Sequence, residues 1–186
     1  MAFRYKLVNY SCIAKDSLGR DWQLATIQLD FNLPERFNLS CINEKGKDER
    51  IVMIHRAVLG SVERFMAVLI EHYAGAFPVW LAPTQVALLP ISEKHAEYVK
   101  GVATELRRHN IRVSLADSND TLGKRIRETE QQKIPYLLIV GDKEIESQSV
   151  AVRKHGKGDE GALSLDAFKA RLLEEIALLE ALDQAL

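Results

Sequence analysis

The side chains most able to do chemistry fall into two sets. In the first half, Arg64 carries an always-charged planar guanidinium suited to phosphate, His55 is a metal-ligand type, and Gln23 and Thr26 share one short polar pattern, WQ-x-x-T. In the second half, Glu144 can accept two adjacent donors at once, Arg153 can donate to carbonyls or phosphates, Asn119 offers both functions, and Lys133 supplies a point charge. Each also has a plain structural reading. Arg64 suits a solvated charge or salt bridge on an amphipathic helix, and His55 a hydrogen-bonded histidine. Glu144 with Arg153 suits an exposed strand-end pair, and Asn119 a helix N-cap. The Gly-rich run HGKGDEG, residues 155–161, lacks the Gly-Lys-Ser/Thr ending of a phosphate loop and reads as a hairpin or strand-to-helix connection.

The elements that must carry these residues differ between the halves. Residues 21–33, DWQLATIQLDFNL, alternate as a strand does and end at Pro34. The polar run 43–50 is a turn or hairpin tip, and IVMIH resumes a β-rich stretch. Ser61 opens a helix with Val62, Phe65, Met66, Leu69 and Ile70 at helical spacing. Beyond FPVWLAP, residues 77–83, strand and helix alternate: strand 85–91, helix 93–109, strand 111–115, helix 121–132, strand 136–140. That is a repeated βα crossover, with Val99, Val102, Ala103 and Leu106 as a buried stripe. A strand at 149–154 and a helix from Ser164, with Leu165, Phe168, Leu172, Ile176 and Leu179 on one face, complete the chain. The expected division is 1–80 and 81–186, an α/β protein with a β-rich first part.

Composition narrows the classes further. The 186 residues are 47% hydrophobic and 27% charged, the balance of a folded protein. Lys+Arg 25 against Asp+Glu 26 excludes bulk basicity as the source of any nucleic-acid surface. Clustering remains possible: Lys100, Arg107, Arg108, Arg112, Lys124, Arg125, Arg127 and Lys133 precede the last strands, while Glu174, Glu175, Glu180 and Asp183 gather at the end. No apolar stretch reaches the roughly 18 residues of a membrane span, and MAFRYKLVNY lacks a signal-peptide core, so the expectation is a cytoplasmic protein with no membrane partner. Cys12 and Cys41 form neither a CxxC pair nor a zinc spacing.

Three long strings are more specific. WQLATIQLDFNLPERF (22–37), VMIHRAVLGSVERF (52–65) and KIPYLLIVGDKEIESQSVAVR (133–153) closely resemble, in order and in register, the C-terminal half of bacterial threonyl-tRNA synthetase. The resemblance runs from about Asp16 to about residue 176. It implies an anticodon-binding domain with a mixed β-sheet flanked by helices, preceded by a partial α+β antiparallel segment of a class II synthetase catalytic domain. HRAVLGSVERF then corresponds to motif 3, with Arg64 at its ATP-phosphate position, and Gly60 allows a close backbone approach. His55 corresponds to one of three zinc ligands, the other two having no counterpart here. Gln23 and Thr26 correspond to active-site strand positions, between which the family's cysteine and glycine are replaced by Leu24 and Ala25.

The same resemblance assigns tRNA anticodon contacts to Asn119, Lys133, Glu144 and Arg153, with Lys133 standing where well-studied bacterial relatives have arginine. Threonine anticodons end in guanine then uracil, and a carboxylate can accept the two adjacent donors of guanine. The implied partner is threonine tRNA, not DNA, together with a catalytic half or a second copy of the chain. ATP, magnesium and zinc belong to the complete family enzyme. Motifs 1 and 2 have no counterpart, and the family's Ala-Phe-Tyr-Gly-Pro-Lys approach is replaced by AFRYKLVNYS, so the chain alone should need no cofactor and should not charge tRNA. A second reading is a catalytically inactive, free-standing relative that uses the fold as an RNA- or protein-binding module.

Overall fold

A computed structural model describes residues 7–116 and 120–183, and the chain divides into two compact units, Met1–Ala74 and Gly75–Leu186. In the first unit, β1 (Leu7–Lys15), β2 (Asp21–Asp30) and β5 (Met53–Ala57) form an antiparallel sheet with β2 in the middle. The register of β1 on β2 slips between Cys12 and Ile13: Cys12 faces Ala25 and Ile13 faces Gln23, which leaves Leu24 as the extra residue of a β-bulge. A short helix, α1 (Asn32–Arg36), follows β2, so Pro34 lies inside a helix and the strand ends at Asp30. β3 (Ser40–Ile42) and β4 (Asp48–Arg50) make a separate hairpin.

Ser61 caps α2 (Val62–His72) by accepting from the Arg64 amide. The apolar spacing of α2 splits in two. Phe65 and Leu69 are half-buried, whereas Val62, Met66 and Ile70 remain exposed, at positions i, i+4 and i+8. The tight turn between β1 and β2 is held by Asp16, whose carboxylate accepts from the amides of Leu18 and Arg20, from Arg20 Nε and from Trp22 Nε1.

The second unit is a five-stranded mixed sheet in the order β10-β9-β8-β6-β7. β6 (Val86–Pro90), β7 (Val113–Leu115) and β8 (Tyr136–Val140) are parallel, while β9 (Ser149–Lys154) and β10 (Gly158–Ser164) run antiparallel. α3 (Ala96–Arg108) and α6 (Leu165–Asp183) cover one face, where Val86, Leu88, Tyr136, Leu138, Val150 and Val152 meet Val99, Leu106, Phe168 and Leu172. α4 (Leu122–Gln131) covers the other, over Ala87, Leu89 and Leu137. A five-residue helix, α5 (Asp142–Glu146), links β8 to β9.

The stretch 75–82 packs on this second unit. Arg112 donates to the carbonyls of Ala82 and Trp80 at 2.9 and 2.7 Å, and Gln85 Nε2 donates to Val79 O at 2.8 Å. The run HGKGDEG is the turn and first half of a hairpin strand, β10, and not a plain connection to α6. The eight basic residues do not form one face: α3 and α4 lie on opposite sides of the sheet, and Arg125 is itself buried.

Candidate functional site

In the first unit, strict alternation would send Gln23 and Thr26, three residues apart, to opposite sides of β2. The bulge at Leu24 cancels that. Thr26 faces Ser11 and Gln23 faces Ile13, two residues apart on β1, so both side chains emerge on one face, and Gln23 Nε2 donates to Ser11 Oγ at 3.1 Å. Gln28 shares this face and pairs with His55 of β5. Gly60, at φ +62°, approaches the bulge closely: a Cβ there would meet Leu24 O at 2.8 Å. The close neighbour of Gly60 is therefore the bulged strand itself. Ala25 faces Cys12 on the opposite side and lines a hollow of about 190 Å³ with Tyr10, Ile27 and Arg56, so its methyl does not fill the Gln23–Thr26 face.

Arg64 is exposed at the start of α2, with its guanidinium carbon 5.7 Å from the Trp22 ring centroid, a cation–π distance shared by Arg20 at 5.9 Å. His55 Nε2 lies 3.1 Å from Asp30 Oδ2. Burial pushes the Asp30 carboxyl up, but the bond to His55 and the amides of Asn32 and Leu33 outweigh it and hold it below the usual carboxylate range. A catalytic zinc needs three protein ligands. Among the described residues no three His, Cys, Asp or Glu side chains gather to hold a metal, and Cys12 and Cys41 are exposed. The donor set around His55 does not by itself fit zinc.

In the second unit Glu144 and Arg153 stand apart, each in its own surroundings. Asn119 lies outside the described residues. Lys133 follows α4 in a left-handed conformation, φ +55°, with its side chain along Gly75, where a Cβ would stand 3.6 Å from Lys133 Cδ. Glu144 sits in the first turn of α5, not on a strand end: its Oε2 accepts from the Gly141 amide at 2.8 Å, and Oε1 makes no hydrogen bond among the described residues. Sequence reasoning missed α5, because five residues show no helical period.

Arg153 shares a β8–β9 register with Leu137 and so lies on the α4 face. It pairs not with Glu144 but with Glu130 at 3.6 Å and Asp159 at 4.0 Å, and its Nε is buried without a hydrogen-bond partner. Gly141 is four residue steps beyond Leu137, so the backbone levels of Arg153 and of the Glu144 turn are roughly 13 Å apart along β8.

Two side chains to which the sequence gives no individual role complete the surroundings. Arg125, 4% exposed, donates to Pro90 O at 2.7 Å and Ile91 O at 3.4 Å, clamping the end of β6. On the α6 face Lys154 Nζ donates to both Glu175 oxygens at 2.9 and 3.1 Å, beside the Tyr136 hydroxyl. Arg125 reads as one solvated member of a basic cluster and Lys154 as an ordinary strand-end lysine, and neither carries a sequence signal of burial or pairing.

Comparisons with known proteins agree with this division. Residues 85–175 match a family model described as an anticodon binding domain, and residues 3–73 match the tRNA synthetase class II core domain (G, H, P, S and T). The threonine–tRNA ligase of Caldanaerobacter subterraneus subsp. tengcongensis is 55% identical over 163 residues, 88% of this chain and 25% of that protein. The threonine–tRNA ligase of Carboxydothermus hydrogenoformans is 57% identical over 162 residues, 87% of this chain and 26% of that protein. The chain thus spans about a quarter of the length of these relatives. Among solved structures, the RNA binding domain of threonyl-tRNA synthetase from Cryptosporidium parvum Iowa II superposes with a TM-score of 0.82 at 40% identity, covering 90% of this chain and 42% of that one.

Proposed function

The chain belongs to the threonyl-tRNA synthetase family, whose C-terminal region it represents, and we propose that its second unit binds the anticodon loop of threonine tRNA in the cytoplasm, in support of ATP-dependent threonylation. The observation that carries this reading is Arg153. A guanidinium has five donors, yet this one makes no hydrogen bond among the described residues and has carboxylates only at 3.6 and 4.0 Å. A half-buried arginine so poorly satisfied is prepared for an incoming acceptor, such as a base carbonyl or phosphate. Glu144 supplies the complement: with Oε2 held by Gly141, Oε1 is open to the two donors of guanine. Lys133 adds charge without a planar fork, and Asn119 a donor and an acceptor.

The first unit supports a second part of the reading. Tyr10, Ile13, Ile54, Val62, Met66 and Ile70 are 47–63% exposed, and Val68 is its one buried large aliphatic residue among those described. Such a surface suits the remainder of a class II core, or a second copy of the chain, as a covering partner. In that completed core Arg64 would hold ATP phosphates with magnesium, Gln23 and Thr26 would face the amino-acid site, and His55 would supply one of three zinc ligands. This unit without that complement does not charge tRNA.

The test is binding of the full chain to threonine tRNA transcripts across a salt series, with the guanine or uracil of the anticodon replaced. Loss of about 1–3 kcal/mol per replaced base is expected. Binding indifferent to both bases would sink the anticodon reading.

A further inference from the structure

Glu144 can read a base only if α5 is held still, and five residues of helix do not hold themselves. The turn is anchored by its neighbour Asp142. His95 Nε2 lies 3.2 Å from Asp142 Oδ1, and Lys94 Nζ donates to Asp142 Oδ2 at 2.9 Å. Lys94 and Asp142 are both about two-thirds exposed, so their pair is screened and adds little. His95 is different: its side chain is 3% exposed, in a single 3-10 turn, Glu93–His95, that ends the β6-to-α3 connection.

The ring's protonation follows from its partners. The Ser92 amide can only donate, and it points at His95 Nδ1 at 3.1 Å, so Nδ1 is the acceptor and Nε2 carries the hydrogen toward Asp142. The same bond prevents Ser92–His95–Asp142 from acting as a proton relay, because Nδ1 is occupied by an amide. What remains is a rigid strut from the β6 loop to the β8 loop. Two contacts run beside it: Ile91 N donates to Val140 O at 2.9 Å, and a Cβ on Gly141 would stand 2.6 Å from Ile91 Cδ1.

We propose that His95 is a positioning residue for anticodon reading, which fixes the Asp142–Glu144 turn so that the free carboxylate oxygen of Glu144 meets the middle base of the anticodon. The inference rests on the anticodon reading of Glu144 given above. It adds a residue that touches no base and acts through Asp142. Because Gly141 and Glu144 share one hydrogen bond, any rotation at Asp142 moves the acceptor directly.

The test uses the full chain and synthetic anticodon stem-loops of threonine tRNA with guanine or inosine, which lacks the exocyclic amine, at the middle position. The readout is the ratio of the two dissociation constants. Glu144→Gln should abolish the guanine preference. Asp142→Ala, at an exposed position, and His95→Asn, whose short amide keeps the Ser92 contact but does not reach Asp142, should each lower the preference about fivefold or more. His95→Gln, whose amide nitrogen takes the place of Nε2, should restore it. Affinity for the inosine loop should fall less than affinity for the guanine loop in Asp142→Ala and His95→Asn and match the wild type in His95→Gln, which separates positioning from a general loss of fold that would lower both affinities alike. A guanine preference unchanged in His95→Asn and Asp142→Ala, with Glu144→Gln having lost it, overturns the positioning role. A preference unchanged in Glu144→Gln overturns the reading of Glu144 itself, and the positioning role with it.

Discussion

Arg153 and Lys154 are consecutive on β9 and so point to opposite faces of the sheet, which makes the packing of Lys154 a control on the presentation of Arg153. Tyr136, fully buried, donates its hydroxyl to Glu175 Oε2 at 2.7 Å and accepts from Arg171 Nη2 at 3.3 Å. Tyr136→Phe removes both bonds but orphans no charge: Glu175 keeps Lys154, and Arg171 keeps Glu160 at 2.7 Å. The main loss is the 2.7 Å charge-assisted hydrogen bond to Glu175, about 1.5–3 kcal/mol, since the bond from Arg171 is long at 3.3 Å and Arg171 keeps its closer ion pair. Glu175→Ala is worse, because it strands Lys154, 21% exposed, together with the Tyr136 hydroxyl. Breaking a fully buried pair costs about 3–5 kcal/mol; with a fifth to a third of each side chain still exposed here, about 2–4 kcal/mol is expected.

Hydrogen exchange at the β8 amides reads opening of the second unit alone, and the double variant should cost little more than Glu175→Ala, because both substitutions break the same contact. Equal losses for the two single variants, or additive losses in the double, would refute the reasoning. The pH dependence follows from the same geometry. Burial pushes the Glu175 carboxyl up, but Tyr136 and Lys154 pull it below its ordinary value of 4.5. Its stabilisation is therefore complete above pH about 4.5 and is lost as pH falls through the depressed value, a dependence that Glu175→Gln should flatten.

Three further outcomes are expected. Gly19→Ala and Gly60→Ala both place a side chain at positive φ, costing roughly 1–2 kcal/mol, but only Gly60→Ala also drives a methyl against a backbone carbonyl; urea denaturation should show the larger loss at Gly60, and equal losses would contradict the close approach at the bulge. Limited proteolysis should cut within residues 7–74 first and leave a resistant fragment starting near 75, since the first unit leaves most of its apolar side chains exposed; uniform resistance would count against this. Asp16, held well below the usual carboxylate range chiefly by Trp22 Nε1, stabilises the β1–β2 turn above that range and releases it only in strong acid. Asp16→Asn should weaken the turn at neutral pH and leave little further acid response, measured by Trp22 fluorescence.

The parts of the fold legible in the sequence were those with a period and a cap. The stripe Val99, Val102, Ala103 and Leu106 is buried throughout, and Ser61 caps α2 as its position suggested. β10 was hidden because Gly158, Asp159, Glu160 and Gly161 carry no strand signal; it forms through pairing with β9, which supplies the order its own residues lack. The Leu24 bulge left no mark in composition, although it decides which face Gln23 occupies. Charge proved the least legible property. Arg125 reads as one member of a basic cluster, yet it is nearly inaccessible and serves two carbonyls, while Arg153, the single arginine of the string 133–153, is the one left under-satisfied.

That contrast bears on how the two units divide the work. In the second unit the residues proposed for the anticodon stand at the margins of a closed core: Arg153 beside β8 and Glu144 on a turn braced from β6. Their geometry depends on contacts contained within residues 75–186, so base reading should be a property of this unit. In the first unit Gln23, Thr26 and His55 share a sheet face by register, but among the described residues the charged partner of His55 is Asp30 alone, and Arg64 rests on an indole ring. Nothing among the described residues of that unit gathers these four side chains around one reacting atom, and a transition state is stabilised only by groups that converge on it. A complement supplying the rest of the class II core should therefore change threonylation from absent to present while leaving the guanine preference of the anticodon interaction unaltered. A guanine preference that appears only with the complement would show that anticodon reading is not built into the second unit.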